Sequence, residues 1–492
     1  MKILSVIPAR GGSKGIRLKN LVRLDGKPLL HYTVKASLES KLVNRTVVST
    51  DNKKIAEQAK KLGAEVIIRP NRLSTDESIL EPVIQHVLDF LKSKKKYRPD
   101  IVVLLQNTSP LRSSEYIDGA LSLLIKKKYD SVLSGYPWQV FSWKVKSDSS
   151  IIPYSYDPQN RSRRQESGER ALENGAIYAT TSSAFKKSQC RISGKVGFYT
   201  MPMELSYDID GNADLYATEL ILQQQKINNL FSVEGKNIIL TGASGLLGSY
   251  YARTLLEAGA NMALIDHNTR VSQEIKEEFT NARQTIQIYK CDLSKPNQIN
   301  STIKKIMKDF PTIDVLINNA AFVSAKTFAI KDFKNFETHP FDLWKKAFEV
   351  NIDAPFILSQ KVLGIMKKQK SGSIINISSN YGIVGPDFDT YENEKLWTPP
   401  GYAVTKSAIL NFTRYIANLY GKYNIRCNTL SPSGVATDKQ SDSFKKKYAS
   451  RNALKRMARV SDYAGPLIFL CSNASDYMTG ANLVVDGGWT AK

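Results

Sequence analysis

Cysteine and histidine are both scarce, with four of each in 492 residues. The cysteines, Cys190, Cys291, Cys427 and Cys471, lie far apart, and no C-x-x-C pair occurs. That excludes a disulfide framework and leaves no zinc-site spacing. It favours a reducing, cytoplasmic setting. No apolar run reaches the roughly 18 residues that a membrane span needs, so no membrane partner is expected. The opening M-K-I-L-S-V-I-P is too short for a secretory signal. Acidic residues are in deficit: 46 Asp and Glu face 69 Lys and Arg, for a net charge of +23. Such an excess can mark a nucleic-acid binder. Here it is spread over lysine-rich stretches such as Lys92 to Lys96, Lys126 to Lys128 and Lys445 to Lys447, without interleaved aromatics. A solvated surface that attracts small anionic substrates is the simpler account, and no nucleic-acid partner is expected.

What is present is two sets of glycine turns, each at the end of an apolar strand. The chain is long for one domain and comfortable for two. Strands and helices alternate in both halves, which predicts an α/β fold of two doubly wound domains. Both are expected to be Rossmann-like, the first over 1–228 and the second over 234–492.

In the first half, Ile3 to Ile7 runs into I-P-A-R-G-G-S-K-G-I-R-L-K-N, Ile7 to Asn20. Gly11, Gly12 and Gly15 let backbone approach a ligand closely. Exposed N–H groups beside Arg10, Lys14, Arg17 and Lys19 make an anion cradle. The P-loop pattern G-x-x-x-x-G-K-[ST] is absent, so a different phosphate-handling fold is required. Ile101 to Leu105 is an unbroken apolar run, the pattern of a buried parallel strand. It delivers Q-N-T-S-P-L-R, Gln106 to Arg112. Asp51 and Arg69 also follow strands, and ligands bind outside the carboxyl ends of such strands. These residues should converge on one cleft. In Y-D-I-D, Asp208 and Asp210 are i and i+2 in an extended segment, so both carboxylates can face one point and suit Mg2+.

These motifs, with S-T-D, R-R-Q and N-G-A-I-Y in the same order, resemble the N-acylneuraminate cytidylyltransferases, the CMP-sialic acid synthetases, over about residues 1 to 225. The resemblance implies transfer of CMP from CTP to a nonulosonic acid of sialic or legionaminic type, with Mg2+ and release of pyrophosphate. It puts Arg10, Gly11, Ser13, Lys14, Lys19 and Asn20 at the phosphates, with Arg10 and Lys19 as catalytic candidates. Arg69 would help form the cytidine pocket, Gln106 and Lys144 would reach the sugar, and Arg164 would face a carboxylate or phosphate. Asp208 and Asp210 would hold the metal. Asn107 departs from the family, which usually has proline there. Glu166 to Glu173 lacks the usual proline-aromatic pattern.

In the second half, Asn237 to Leu240 leads to T-G-A-S-G-L-L-G, and a second strand ends in Asp266. Gly242 turns the chain, Gly245 admits a pyrophosphate, and Gly248 lets helix and strand pack closely. An acid at Asp266 suits a ribose hydroxyl and repels a 2′-phosphate, which favours NAD over NADP. Tyr402 and Lys406 are i and i+4 on a predicted helix, hence on one face. An ammonium there is expected to lower the phenol's pKa. Together with Asp292, Asn319, Asn351, Ser379 and the closing V-V-D-G-G-W, these residues resemble the short-chain dehydrogenases/reductases over about 234 to 492. The resemblance implies Tyr402 as acid/base, Lys406 as its partner and ribose contact, Ser379 orienting the reacting oxygen and Asn351 in a proton relay. Asn319 supports the cofactor site, where Asp292 also lies.

The interval from Ser379 to Tyr402 is longer than usual in that family. It is read either as a wall shaping a sugar pocket or as a surface loop. The leading reading is a bifunctional enzyme whose second half acts on a sugar or sugar nucleotide of the same surface-glycan pathway. The alternative makes that half a structural or oligomerising module. A homo-oligomer, dimer or tetramer, is expected.

Overall fold

The structure is a computed structural model that describes residues 1–12, 15–75, 77–138, 142–155, 157–159, 170–323, 336–392, 394 and 397–491. The chain divides into two compact units, Met1–Lys226 and Ile227–Lys492.

In the first unit, short β-branched and apolar segments form a seven-stranded sheet. Its order is Val196–Thr200, Ser131–Pro137, Ala171–Thr181, Ile101–Leu105, Ile3–Pro8, Arg45–Thr50 and Glu65–Ile68. Ile101–Leu105 is buried along its whole length. It pairs in parallel with Ile3–Pro8 but antiparallel with Ala171–Thr181. The sheet is therefore mixed, and the all-parallel pattern expected from the apolar run holds on one side only. Both arrangements bury a strand on two faces, so the run of Ile, Val and Leu cannot distinguish them.

Helices follow the strands and are capped locally. Asn52 caps Lys53–Lys61, its Oδ1 accepting from the N–H groups of Lys54 at 2.9 Å and Ile55 at 3.2 Å. Each such cap is worth about 1 kcal/mol. This one also fixes the residue after Asp51, at the strand's carboxyl end. A helix, Asn212–Phe231, follows the D-I-D segment and runs past the division at Lys226.

The second unit carries a parallel sheet in the order Ile286–Lys290, Asn261–Asp266, Asn237–Thr241, Val315–Asn318, Gly372–Ile377, Ile425–Pro432 and Asn482–Val485. The order reverses at Asn237–Thr241, whose neighbours are the next strand in sequence on one side and Val315–Asn318 on the other. Such a switch point opens a crevice at the strands' carboxyl ends. The glycine turn and Asp266 lie there. Among the described residues no helix is long and apolar enough to cross a membrane. All four cysteines are free thiols.

Candidate active sites

The first site grows from three strand ends tied by hydrogen bonds. The N–H of Gly11 donates to Asp51 Oδ1 at 2.9 Å. Asn20 Nδ2 donates to the carbonyl of Arg10 at 2.9 Å. Asn107 Nδ2 donates to Pro8 O at 3.2 Å and to Asn20 Oδ1 at 2.9 Å. A Cβ on Gly15 would come within 2.4 Å of the carbonyl oxygen of Asp210, so glycine is needed where the loop meets the D-I-D segment.

Lys19 makes the link that matters chemically. Its ammonium donates to Ile209 O at 2.7 Å and lies 3.4 Å from Asp210 Oδ1. On the other side, the N–H of Ile209 donates to Thr108 O at 2.8 Å. The glycine loop, the Gln106 turn and the two aspartates thus form one cleft. Asp208 and Asp210 are both exposed. Desolvation nonetheless raises the Asp208 carboxyl above its ordinary value; Asp210 and Asp214 push the same way, while Thr108 and Lys19 oppose. Arg69 is buried, with Nε donating to Ser74 Oγ at 2.9 Å. Burial lowers its pKa, Asp51 opposes that, and Arg10 adds to it. Arg10 itself donates to Thr75 O at 2.8 Å. Lys19 is thus the cation beside the two exposed carboxylates, while Arg69 lies near Asp51 and Arg10; cations and carboxylates at one set of strand ends suit a phosphate chain with a divalent ion.

Among the described residues no group of three or more His, Cys, Asp or Glu side chains clusters as a metal site. Two carboxylates suffice for Mg2+, which fills its other positions with water and substrate phosphate. Gln106 lies against the N-G-A turn, its Nε2 3.8 Å from where a Cβ on Gly175 would stand. Ser13, Lys14 and Arg164 lie outside the described residues. Lys144 sits on an exposed hairpin, Trp143–Val145 with Ile151–Pro153, and no described contact brings it to the cleft.

The second site is built round the glycine turn. Gly242 has φ +67, which favours glycine. A Cβ on Gly248 would stand 1.9 Å from the carbonyl oxygen of Gly242, so no other residue fits. Asn319 braces the turn, its Nδ2 donating to Thr241 O at 2.9 Å and Gly242 O at 3.2 Å. Asp266 is buried and accepts from the N–H of Ser244 at 2.9 Å through Oδ2 and from Asn268 N–H at 3.0 Å through Oδ1. Asp292 accepts from both the N–H and the hydroxyl of Ser294.

Asn351 lies in a π-helical turn, Glu349–Asp353, where the sequence suggests plain helix. Its side chain brackets Phe322, accepting from N–H at 2.7 Å and donating to O at 3.2 Å, and donates to Thr405 Oγ1 at 2.9 Å. Tyr402 and Lys406 share the helix Pro400–Tyr420. Lys406 Nζ donates to Ile377 O at 2.6 Å and stands 5.6 Å from the centroid of the Tyr402 ring. The expected lowering of the Tyr402 pKa is not what the site shows. Burial raises the phenol, the Ser379 hydroxyl opposes, and Tyr448 raises it further. Lys406 is itself buried, and desolvation pushes its ammonium down to about 8.

That shift has a measurable sign. Between pH 8 and 10.5 the folded lysine has released a proton that the unfolded one still holds, so its contribution to stability rises with pH. From pH 7.5 to 10, wild type is expected to gain about 2 kcal/mol relative to Lys406→Met in urea unfolding. A constant difference between the two would contradict the burial described.

Between Ser379 and Tyr402, several described residues are tied to the helix Asp442–Arg451 and the turn before it, while Ile383 to Gly385, Phe388, Asp389 and Glu392 are exposed. Arg451 pairs with Asp387 at 2.6 Å and Asp389 at 3.4 Å. Ser441 donates to Glu394 at 2.7 Å. Behind them, Tyr381, Phe444, Tyr448, Met457 and Trp489 form a buried cluster against which Tyr391 and Tyr402 pack.

Each unit is thus a doubly wound α/β domain with a glycine turn and charged groups at its strand ends, the build of a nucleotide-handling enzyme. Residues 4–306 match the cytidylyltransferase family, and residues 242–490 match the family described as enoyl-(acyl carrier protein) reductase. The chain belongs to both families and is an enzyme that joins a cytidylyltransferase to a short-chain dehydrogenase/reductase-type oxidoreductase. The two matches overlap over 242–306, and the fold assigns that overlap to the second sheet. The 7alpha-hydroxysteroid dehydrogenase of Bacteroides fragilis is 30% identical over 261 residues, covering 52% of this chain and 95% of that protein. Sorbose reductase SOU1 of Candida albicans is 31% identical over 267 residues, covering 53% and 89%. Post-translational flagellin modification protein A of Campylobacter coli is 29% identical over 260 residues, covering 52% and 99%.

Some site groups had no sequence signal. Asn107 stands out in the sequence only as a departure from the family's proline, yet its side chain braces the phosphate loop. Thr75 and Tyr448 are placed by long-range contacts that no local pattern reveals.

Proposed function

We propose that the first domain transfers CMP from CTP to a nonulosonic acid of sialic or legionaminic type, and that the second transfers hydride between NAD(H) and a sugar or sugar nucleotide of the same surface-glycan pathway. The observation that carries the first part is Lys19, which ties the glycine loop to the Asp210 carboxylate. In this reading the triphosphate lies along Gly11, Arg10, Lys19 and Asn20. Arg10, Arg69 and Lys19 offset its charge as pyrophosphate departs. Gln106 orients the sugar, whose anomeric hydroxyl attacks the α-phosphorus. Positioning and charge neutralisation carry the reaction, without a side-chain nucleophile. Asp208 and Asp210 would hold Mg2+, which supplies further charge neutralisation when bound. Ser13, Lys14, Lys144 and Arg164 belong to the same assignment by resemblance alone.

In the second domain the Gly242–Gly248 turn would take the cofactor's pyrophosphate and Asp266 its adenosine ribose. NAD, when bound, accepts or delivers the hydride. Tyr402 moves the proton at the reacting oxygen, Ser379 orients that oxygen, and Lys406 bonds the ribose. Asn351 relays the proton, while Asn319 and Asp292 border the cofactor. The flagellin-modification relative is consistent with a surface-glycan setting. The test for the first domain is pyrophosphate release from CTP and Mg2+ with a panel of nonulosonic acids. Release with none of them would overturn this assignment.

A further inference from the structure

The turn from Gln106 to Arg112 carries a group that the proposed reaction does not use. The Arg112 guanidinium is 2% exposed, one of the largest fully buried side chains in the protein. Its Nη1 donates to Gln106 O at 3.1 Å and to Ala176 O at 2.8 Å. Its Nε and Nη2 have no partner among the described residues. No described carboxylate pairs with it, and desolvation alone pushes its pKa down to about 9.

An uncompensated buried cation is costly, and a hydrophobic side chain of similar size would serve packing as well or better. The cost is understandable if the compensating charge arrives with a ligand. The two carbonyls it holds belong to the two walls of the sugar end of the cleft: Gln106 on one, and the N-G-A turn with Gly175 at φ +68 on the other. Little solvent intervenes to screen a charge set beneath those walls, so it acts on an anion above them more strongly than a surface cation would.

We infer that Arg112 is a positioning residue for the acidic end of the second substrate: it fixes the Gln106 and Ala176 carbonyls, and its buried, unpaired charge favours a sugar acid's carboxylate at that end of the cleft. The inference rests on the cytidylyltransferase reading above. It adds a residue that does not touch the substrate.

The test compares a nonulosonic acid with its methyl ester, which removes the charge and keeps the shape. In Arg112→Met, KM for the acid is expected to rise at least tenfold. KM for CTP and for the ester should stay within about twofold. Arg112→Lys keeps the charge and should hold the acid-over-ester preference within about threefold of wild type. An equal rise for acid, ester and CTP would show a purely structural brace and overturn the inference. Should the methionine variant not fold, the lysine variant carries the test alone: loss of the preference there overturns it. Wild type that turns over no sugar acid overturns the functional reading as well. Active wild type with an unaffected Arg112→Met overturns only the role of Arg112.

Discussion

Tyr402→Phe is expected to lower hydride transfer about a thousandfold while CMP transfer continues at the wild-type rate. The phenol is the group placed to move a proton: Ser379 bonds it from one side and Lys406 shares its helix face. Phenylalanine keeps the ring that packs against the cluster of Tyr381, Phe444, Tyr448 and Trp489, so the fold should survive. The loss should fall on kcat, with cofactor binding by fluorescence unchanged, because the hydroxyl serves the reacting oxygen and not the glycine turn. Unchanged turnover would remove Tyr402 from the chemistry; no turnover by wild type would favour a second domain that serves assembly.

The second large effect falls on the other domain. Asp208→Asn or Asp210→Asn is expected to cut pyrophosphate release by about a hundredfold or more, with a matching rise in the Mg2+ concentration needed. Asparagine keeps size and an oxygen but removes the charge. The Asp208 carboxyl is raised above its ordinary 3.8 by desolvation, with Asp210 nearby adding to it. Activity that needs the ionised form is therefore lost, as pH falls, earlier than an ordinary carboxylate would lose it. The acid limb of the wild-type pH profile should move to lower pH as Mg2+ is raised, because a bound divalent ion favours the carboxylate. An acid limb that ignores Mg2+ would separate the aspartates from the metal.

Much of both sites was legible because the motifs sit where strand meets loop. Apolar runs identify the strands, and the glycine spacing announces each turn. The Gly248 contact with Gly242 is local, so it can be read directly from T-G-A-S-G-L-L-G. Tyr402 and Lys406 fall on one face by helix period alone. What could not be read depends on burial and on long-range partners. Burial reverses the expected shift of Tyr402, since periodicity places the ammonium but not the desolvation. Asn107 bonds Pro8 and Asn20, far off in sequence, so its bracing of the phosphate loop has no local signal. The antiparallel strand Ala171–Thr181 is hidden because burial on two faces looks the same in either direction. The tethers of Arg451 to Asp387 and of Ser441 to Glu394 join distant parts of the chain, so nothing local announces them.

The central claim is that one chain carries two separate chemistries. The most direct measurement assays a single preparation twice, for pyrophosphate release with CTP, Mg2+ and a nonulosonic acid, and for NAD(H) turnover with sugar and sugar-nucleotide substrates. Wild type, Tyr402→Phe and Asp208→Asn are run side by side. The account predicts that wild type shows both activities, that Tyr402→Phe loses only the second, and that Asp208→Asn loses only the first. Loss of both activities in either single variant, or absence of one from wild type, would contradict it.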